Sequence, residues 1–219
     1  MKPLLYRKRA AVALFARAPV AGQVKTRLIP LLGPEEACAL HRALARDAWE
    51  VLLALGPACE AFLYSDQDHP DWRDLAGDRL RLQRGRDLGE RMLACFEEMA
   101  AQGLEPLLIV GSDTVGLTPE ALAPWTRLLE EAPVVLGPAE DGGYWAIGCQ
   151  RPDPRMFEGV EWSAGSTLDA TRAALNRCGM PLALLAPLWD LDRPDDLARL
   201  RANPPPGRLV RGWLDLQRG

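Results

Sequence analysis

The chain alternates short apolar runs with longer amphipathic stretches. Residues 11–16 form a continuous apolar run of strand length, which reads as a buried strand. Residues 34–55 follow another rule. Leu40, Leu44, Ala48, Val51, Leu52 and Leu55 recur at helical spacing. Pro34 suits a first turn, Glu35 and Glu36 favour the positive end of a helix, and Gly56 stops it. Further strands are predicted at 61–65, 80–83, 107–110, 134–136, 144–147 and 182–185, and further helices at 88–102, 166–177 and 195–201. Thr118 reads as the cap of a helix at Pro119 that Pro124 kinks or restarts. The run Pro204-Pro205-Pro206 reads as a stiff spacer before a C-terminal segment, 209–216. Strands alternating with helices predict an α/β fold of three layers, Rossmann-like, with a mostly parallel central sheet and helices on both faces. Ligands bind such sheets beyond the carboxyl ends of the strands, where strand order reverses. With an order beginning 3-2-1-4, the loops after the first and fourth strands are neighbours.

Length and charge narrow this picture. The chain has 219 residues, which suits one domain over 1–203 with a C-terminal extension, 204–219, packed on it. Lys and Arg number 26 against 30 Asp and Glu, a net charge of −4, and there is no basic run. That excludes a general nucleic-acid partner but leaves room for a small cationic site. The five cysteines are scattered with no Cys-x-x-Cys pair, which points to free thiols in a reducing cytoplasm rather than a zinc ribbon. With two histidines, a multi-histidine metal site is excluded. Lys2, Arg7, Lys8 and Arg9 before an apolar run imitate a signal peptide, but the run is short, and Arg17 and Pro19 interrupt it. A buried first strand accounts better for the same residues. No stretch approaches the ~20 apolar residues of a membrane span.

The loops after the first and fourth strands hold the most unusual residues. The first runs from Arg17 through Gly22 to Lys25-Thr26-Arg27. Its cations suit phosphate oxygens, Arg as a fork and Lys as a point charge, and Gly22 lets backbone approach a ligand. The glycines of a P-loop are not in place. The second holds Ser112-Asp113-Thr114, where Asp113 is placed to hold Mg²⁺ or Mn²⁺ on a diphosphate or to cap the next turn. Between the third strand and its helix, Gln83 offers an amide to a base edge and Gly89 permits close approach at a helix N-terminus. Asp141-Gly142-Gly143-Tyr144 puts a carboxylate and a ring around two flexible residues, or simply makes a hairpin turn. The stretch Asp190-Leu191-Asp192-Arg193-Pro194-Asp195-Asp196 offers a second carboxylate for the metal, with Asp195 and Asp196 serving as charges in the first turn of a helix.

These pieces together resemble a bacterial family of small glycosyltransferase-like proteins in the nucleotide-diphospho-sugar transferase superfamily. They are Pro19-x-x-Gly22-x-x-Lys25-Thr26-Arg27-Leu28, Asp87-Leu88-Gly89-Glu90-Arg91-Met92, Ser112-Asp113, Gly137-Pro138-Ala139-Glu140-Asp141-Gly142-Gly143-Tyr144, Trp162-Ser163 and Asp192-x-Pro194-x-Asp196-Leu197, in the family's order. Val115 stands where the family usually has Pro, and Arg193 where it has Thr. The resemblance implies a GT-A-like fold and a metal-bound nucleoside diphosphate sugar; some members are associated with arsenosugar biosynthesis. Related proteins with the same core transfer nucleotides. The expected function is therefore glycosyl transfer from a nucleoside diphosphate sugar to a small-molecule acceptor. Two alternatives stand beside it: a nucleotidyltransferase, guanylyltransferase-like, that takes an NTP and releases pyrophosphate, or a non-catalytic nucleotide-binding protein. In the first reading Arg17, Gly22, Lys25, Arg27, Gln83 and Gly89 bind the nucleotide, and Asp113 and Asp192 hold Mg²⁺ or Mn²⁺. Gly142, Gly143, Tyr144 and Trp162 then meet sugar or acceptor, and Asp141 orients or deprotonates the acceptor hydroxyl. Homo-oligomerisation is left open.

Overall fold

β1 (Ala10–Ala16) is an inner strand of a seven-stranded sheet and explains its layering. Side chains alternate across a strand. Val12 and Leu14 therefore enter one apolar cluster, and Ala11 and Ala13 enter the other. A computed structural model describes residues 9–162 and 165–217; Lys2, Arg7, Lys8 and Ser163 lie outside the described residues. The remaining strands are β2 (Cys59–Ser65), β3 (Leu80–Leu82), β4 (Leu107–Gly111), β5 (Thr114–Val115), β6 (Val134–Pro138), β7 (Tyr144–Cys149), β8 (Leu182–Leu184) and β9 (Trp189–Asp190). The helices are α1 (Ile29–Leu32), α2 (Pro34–Leu53), α3 (Pro70–Ala76), α4 (Leu88–Ala101), α5 (Pro119–Leu122), α6 (Trp125–Glu131), α7 (Thr167–Arg177), α8 (Pro194–Ala202) and α9 (Arg208–Leu216).

The sheet order is β3-β2-β1-β4-β7-β6-β8. β1 pairs in parallel with β2 and β4, β2 with β3, and β6 with β8. β7 runs antiparallel to both its neighbours. The mostly parallel three-layer fold is thus as the sequence predicts, and the sheet does begin 3-2-1-4. α2, α3 and α6 cover one face through Trp49, Trp72 and Trp125; α4 and α7 cover the other through Phe96, Met99 and Leu175. As predicted, Thr118 caps α5 by accepting the Ala121 N–H at 3.2 Å, and Pro124 restarts the chain as α6.

Four elements escape the pattern reading, the single-turn α1 among them. α3 is only seven residues long, too short to show a period, and begins at Pro70 with His69 accepting the Asp71 N–H at 3.2 Å. β5 and β9 form a two-stranded antiparallel ribbon outside the main sheet, pairing Thr114 with Asp190 and Val115 with Trp189. Val115, which replaces a family proline, is a ladder residue here.

α9 packs on α2 through Val210, Trp213 and Leu214, which share a cluster with Leu40 and Leu44. The Asp47 carboxylate accepts the Leu209 and Val210 N–H groups at 3.0 and 2.9 Å, capping α9. Burial raises the Asp47 pKa, opposed by those two hydrogen bonds.

Candidate active site

Strand order reverses between β1 and β4, where a crevice of about 640 Å³ opens beyond their carboxyl ends. Arg17, Lys25, Arg27, Asp66, Gln83 and Asp113 are among the residues that line it. A second compartment of about 560 Å³ adjoins it and shares Arg27, Tyr144, Asp190 and Asp192 with it, adding Asp141, Arg193 and Arg199. Residues from six separated stretches of chain therefore meet at one end of the sheet.

The loop after β1 is held from beneath. Arg17 O accepts from Trp72 Nε1 at 3.1 Å and lies 2.9 Å from His41 Nε2. Cys38 Sγ donates to Pro19 O at 3.0 Å, and the Asp66 carboxylate accepts the Ala18 N–H at 2.7 Å. The loop then reaches Lys25, the one non-glycine residue with positive φ among those described, at φ 48° and ψ 39°. This left-handed geometry costs of order 1 kcal/mol or more for an L-residue with a long side chain. It turns the Lys25 amine inward, where the side chain is 1% exposed, 2.7 Å from Asp113 Oδ1 and bonded to Leu191 O. Burial disfavours the Asp113 carboxylate, but Lys25 and then His41, whose Nδ1 is 3.7 Å away, outweigh it and hold its pKa well below the usual range.

Asp190 sits across the β5–β9 ribbon from Thr114, whose hydroxyl donates to it at 3.1 Å. Burial and the neighbouring Asp113 charge raise its pKa to about 6. The sequence assigns Asp192 as the second metal carboxylate, and the structure offers Asp190 as a further candidate beside it. Asp192 is ion-paired with Arg27, while Asp190 is the carboxylate close enough to repel Asp113. The hint lay in the pairing of two short strands, which no local pattern announces. Asp196 serves the helix instead, accepting the backbone N–H groups of Asp192 and Arg193 at 3.0 and 2.7 Å before α8. Among the described residues no three His, Cys, Asp or Glu converge to hold a metal. Asp113 and Asp190 are still a fitting pair for Mg²⁺, which is commonly held by one or two carboxylates with phosphate and water completing its shell.

Other predicted site residues separate. Gly89 is buried under Trp162, and a Cβ there would lie 2.5 Å from the indole. The two pack together outside both crevice compartments, and Trp162 also meets Phe157 at 5.9 Å. Packing against Trp162 is by itself enough to require glycine at position 89. Gly22 is an exposed turn residue with φ 83°, where a Cβ would meet nothing within 4 Å. Gly142 lies against the backbone of Gly165, and Asp141 Oδ1 accepts the Gly143 N–H at 2.9 Å. The Asp141–Gly143 stretch is accordingly the β6–β7 hairpin loop, and Asp141 shapes it while facing the second compartment. The Tyr144 ring lines both compartments, but burial raises its hydroxyl pKa, Thr171 opposing. Gln83 also reaches the crevice, with its amide already engaged: Nε2 donates to Tyr64 O at 3.0 Å and Oε1 accepts from Arg91 at 3.4 Å.

Residues 39–164 match the family model described as "Uncharacterized protein conserved in bacteria (DUF2064)". The chain belongs to the DUF2064 family. Beyond this DUF2064 match, a 2-phospho-L-lactate guanylyltransferase of Halomicrobium mukohataei is 30% identical over 184 residues, 82% of this chain and 81% of the relative. The crystal structure of a Desulfovibrio desulfuricans G20 protein, provisionally named a nucleotide-diphospho-sugar transferase, superposes with a TM-score of 0.86 at 24% identity, covering 97% of this chain and 95% of that one. The inositol-1-phosphate CTP transferase of T. maritima superposes at 0.53 and 14% identity, covering 94% and 96%. These likenesses show that the chain shares the α/β fold of those structures. No helix among the described residues is long and apolar enough to cross a membrane.

Proposed function

We propose that this DUF2064 protein is a transferase that binds a nucleoside triphosphate in the crevice and passes its nucleotidyl group to a small acceptor in the adjoining compartment, releasing pyrophosphate. The observation that carries the reading is the buried Lys25 ammonium, folded inward against Asp113 at the switch point of the sheet. A cation already desolvated and fixed suits charge that builds on departing phosphates. Arg27, 61% exposed, is free to leave Asp192 for a phosphate oxygen. Asp113 and Asp190 would hold Mg²⁺ or Mn²⁺, which when bound neutralises charge on the phosphates. Asp141, at the rim of the second compartment, is the candidate for orienting an acceptor hydroxyl.

The guanylyltransferase relative supports nucleotidyl over glycosyl transfer. A thermal-shift series with NTPs and nucleoside diphosphate sugars, with and without Mg²⁺, tests the reading. Triphosphates are expected to stabilise more than diphosphate sugars, by mass action. The reverse ranking returns the protein to glycosyl transfer. Asp113→Asn is expected to abolish the Mg²⁺-dependent part of the shift and leave the metal-free affinity equal or higher, because a bare carboxylate repels phosphate.

A further inference from the structure

The crevice runs across four strand ends. Gln83 follows β3, Asp66 follows β2, Arg17 follows β1, and Asp113 lies just beyond β4. Three strand spacings are roughly 14 Å, comparable to the reach of a nucleotide from base to phosphates. This inference rests on the reading of the crevice as a triphosphate site. With the phosphates at Lys25 and Asp113, the base falls over the ends of β2 and β3.

Asp66, Gln83 and Arg91 are the side chains there that offer hydrogen bonds. The Gln83 amide is tied to Tyr64 O and Arg91. Asp66 differs. Its Oδ1 accepts the Ala18 N–H at 2.7 Å and the Ser65 hydroxyl at 3.5 Å, and its Oδ2 has only a loose contact at 3.5 Å with Nε of Arg17, itself 64% exposed. An ionised carboxylate has about four acceptor sites over its two oxygens, so a fork remains open to the crevice. Its fit differs among the bases. Guanine presents two adjacent donors, N1–H and the N2 amino group, which match the fork. Adenine and cytosine set an acceptor beside their amino group, and uracil flanks its single N–H with two carbonyls; each sets a lone pair against the carboxylate.

We infer that Asp66 is the base-reading residue of this crevice and selects guanine nucleotides. A site that hydrogen-bonds a substrate donor rejects analogues lacking it, because its own polar group is left unpaired.

Calorimetry with GTP, ITP, XTP, ATP, CTP and UTP in Mg²⁺ tests this. The unmodified protein is expected to bind GTP roughly ten- to a hundredfold tighter than ITP, which lacks only the N2 amino group, the range of one charge-assisted hydrogen bond. Asp66→Asn keeps Oδ1 for Ala18 and turns an N–H₂ toward the base, so XTP, with a carbonyl at that position, is expected to overtake GTP. Equal affinity for GTP and ITP in the unmodified protein overturns the assignment, whatever the variant does. So does an Asp66→Asn protein, folded by its unchanged ligand-free melting temperature, that keeps the GTP preference. Binding of no triphosphate at all overturns the crevice reading itself, a different result from binding without base preference.

Discussion

Two ion pairs join the loop after β1 to the opposite wall of the crevice, from residues two apart in sequence. Lys25 meets Asp113 at 2.7 Å with its side chain 1% exposed. Arg27 meets Asp192 with side chains 61% and 43% exposed. The backbone makes the difference: the left-handed turn at Lys25 sends one cation under the loop and leaves the next above it. A buried ammonium without a partner is strongly disfavoured, so the first pair is part of the wall. The second, in contact with water, is worth little and exchanges freely. Similar charges placed two residues apart thus become a fixed floor and a movable contact.

The sharpest way to break the comparison is Lys25→Met. Breaking a buried pair costs about 3–5 kcal/mol. Asp113 is 47% exposed and rehydrates in part, so a loss of about 1–3 kcal/mol is expected in urea unfolding, discounted for solvent. Nucleotide binding should fall at least tenfold. A variant as stable as the parent would make the two pairs equivalent.

Next comes pH. The Asp190 pKa is about 6 when folded, above the ~3.9 of an unfolded chain. The folded state therefore holds a proton that the unfolded state has released. Stability of the metal-free protein should fall by about 2 kcal/mol as pH rises from 4 to 6.5. Asp190→Asn should flatten that slope. The depressed Asp113 pKa acts with the opposite sign: its contribution is present above the unfolded pKa and is lost only in strong acid, as pH falls through the folded value. Melting curves over this range check the first, and unfolding followed into strong acid checks the second.

Smaller effects belong to the exposed pair. Arg27→Ala should change stability by less than about 1 kcal/mol while weakening triphosphate affinity roughly tenfold. Asp192→Ala should leave stability within about 0.5 kcal/mol and slightly tighten triphosphate binding, since it frees Arg27 and removes a negative charge. A loss of Mg²⁺-dependent binding in Asp192→Ala would make that residue the metal ligand in place of Asp190.

Much of the fold was legible in the chain. Residues 11–16 are uniformly apolar because β1 is buried on both faces, and the α2 period is clear because only one stripe meets the sheet. Asp113 and Lys25 were legible as site candidates because the loops after the first and fourth strands of such a sheet must be neighbours. Short pieces were not: β5, β9 and α3 carry too few residues to show a period.

Sequence alone therefore determined the layers, the place of the crevice and the kinds of charge around it, since all three follow from local periodicity and the rules of parallel sheets. Only the tertiary structure decided which carboxylate faces which cation. That choice hangs on a left-handed residue at position 25 and on a two-residue ribbon that brings Asp190, rather than Asp192, beside Asp113. It decided too that Gly89 serves Trp162 and that Gln83 is bound to the Tyr64 carbonyl and to Arg91, leaving Asp66 Oδ2 with only a loose contact to Arg17. Hydrogen bonds and close contacts between residues far apart in the chain leave no periodic trace, because each is satisfied by one partner in space and by nothing beside it in sequence.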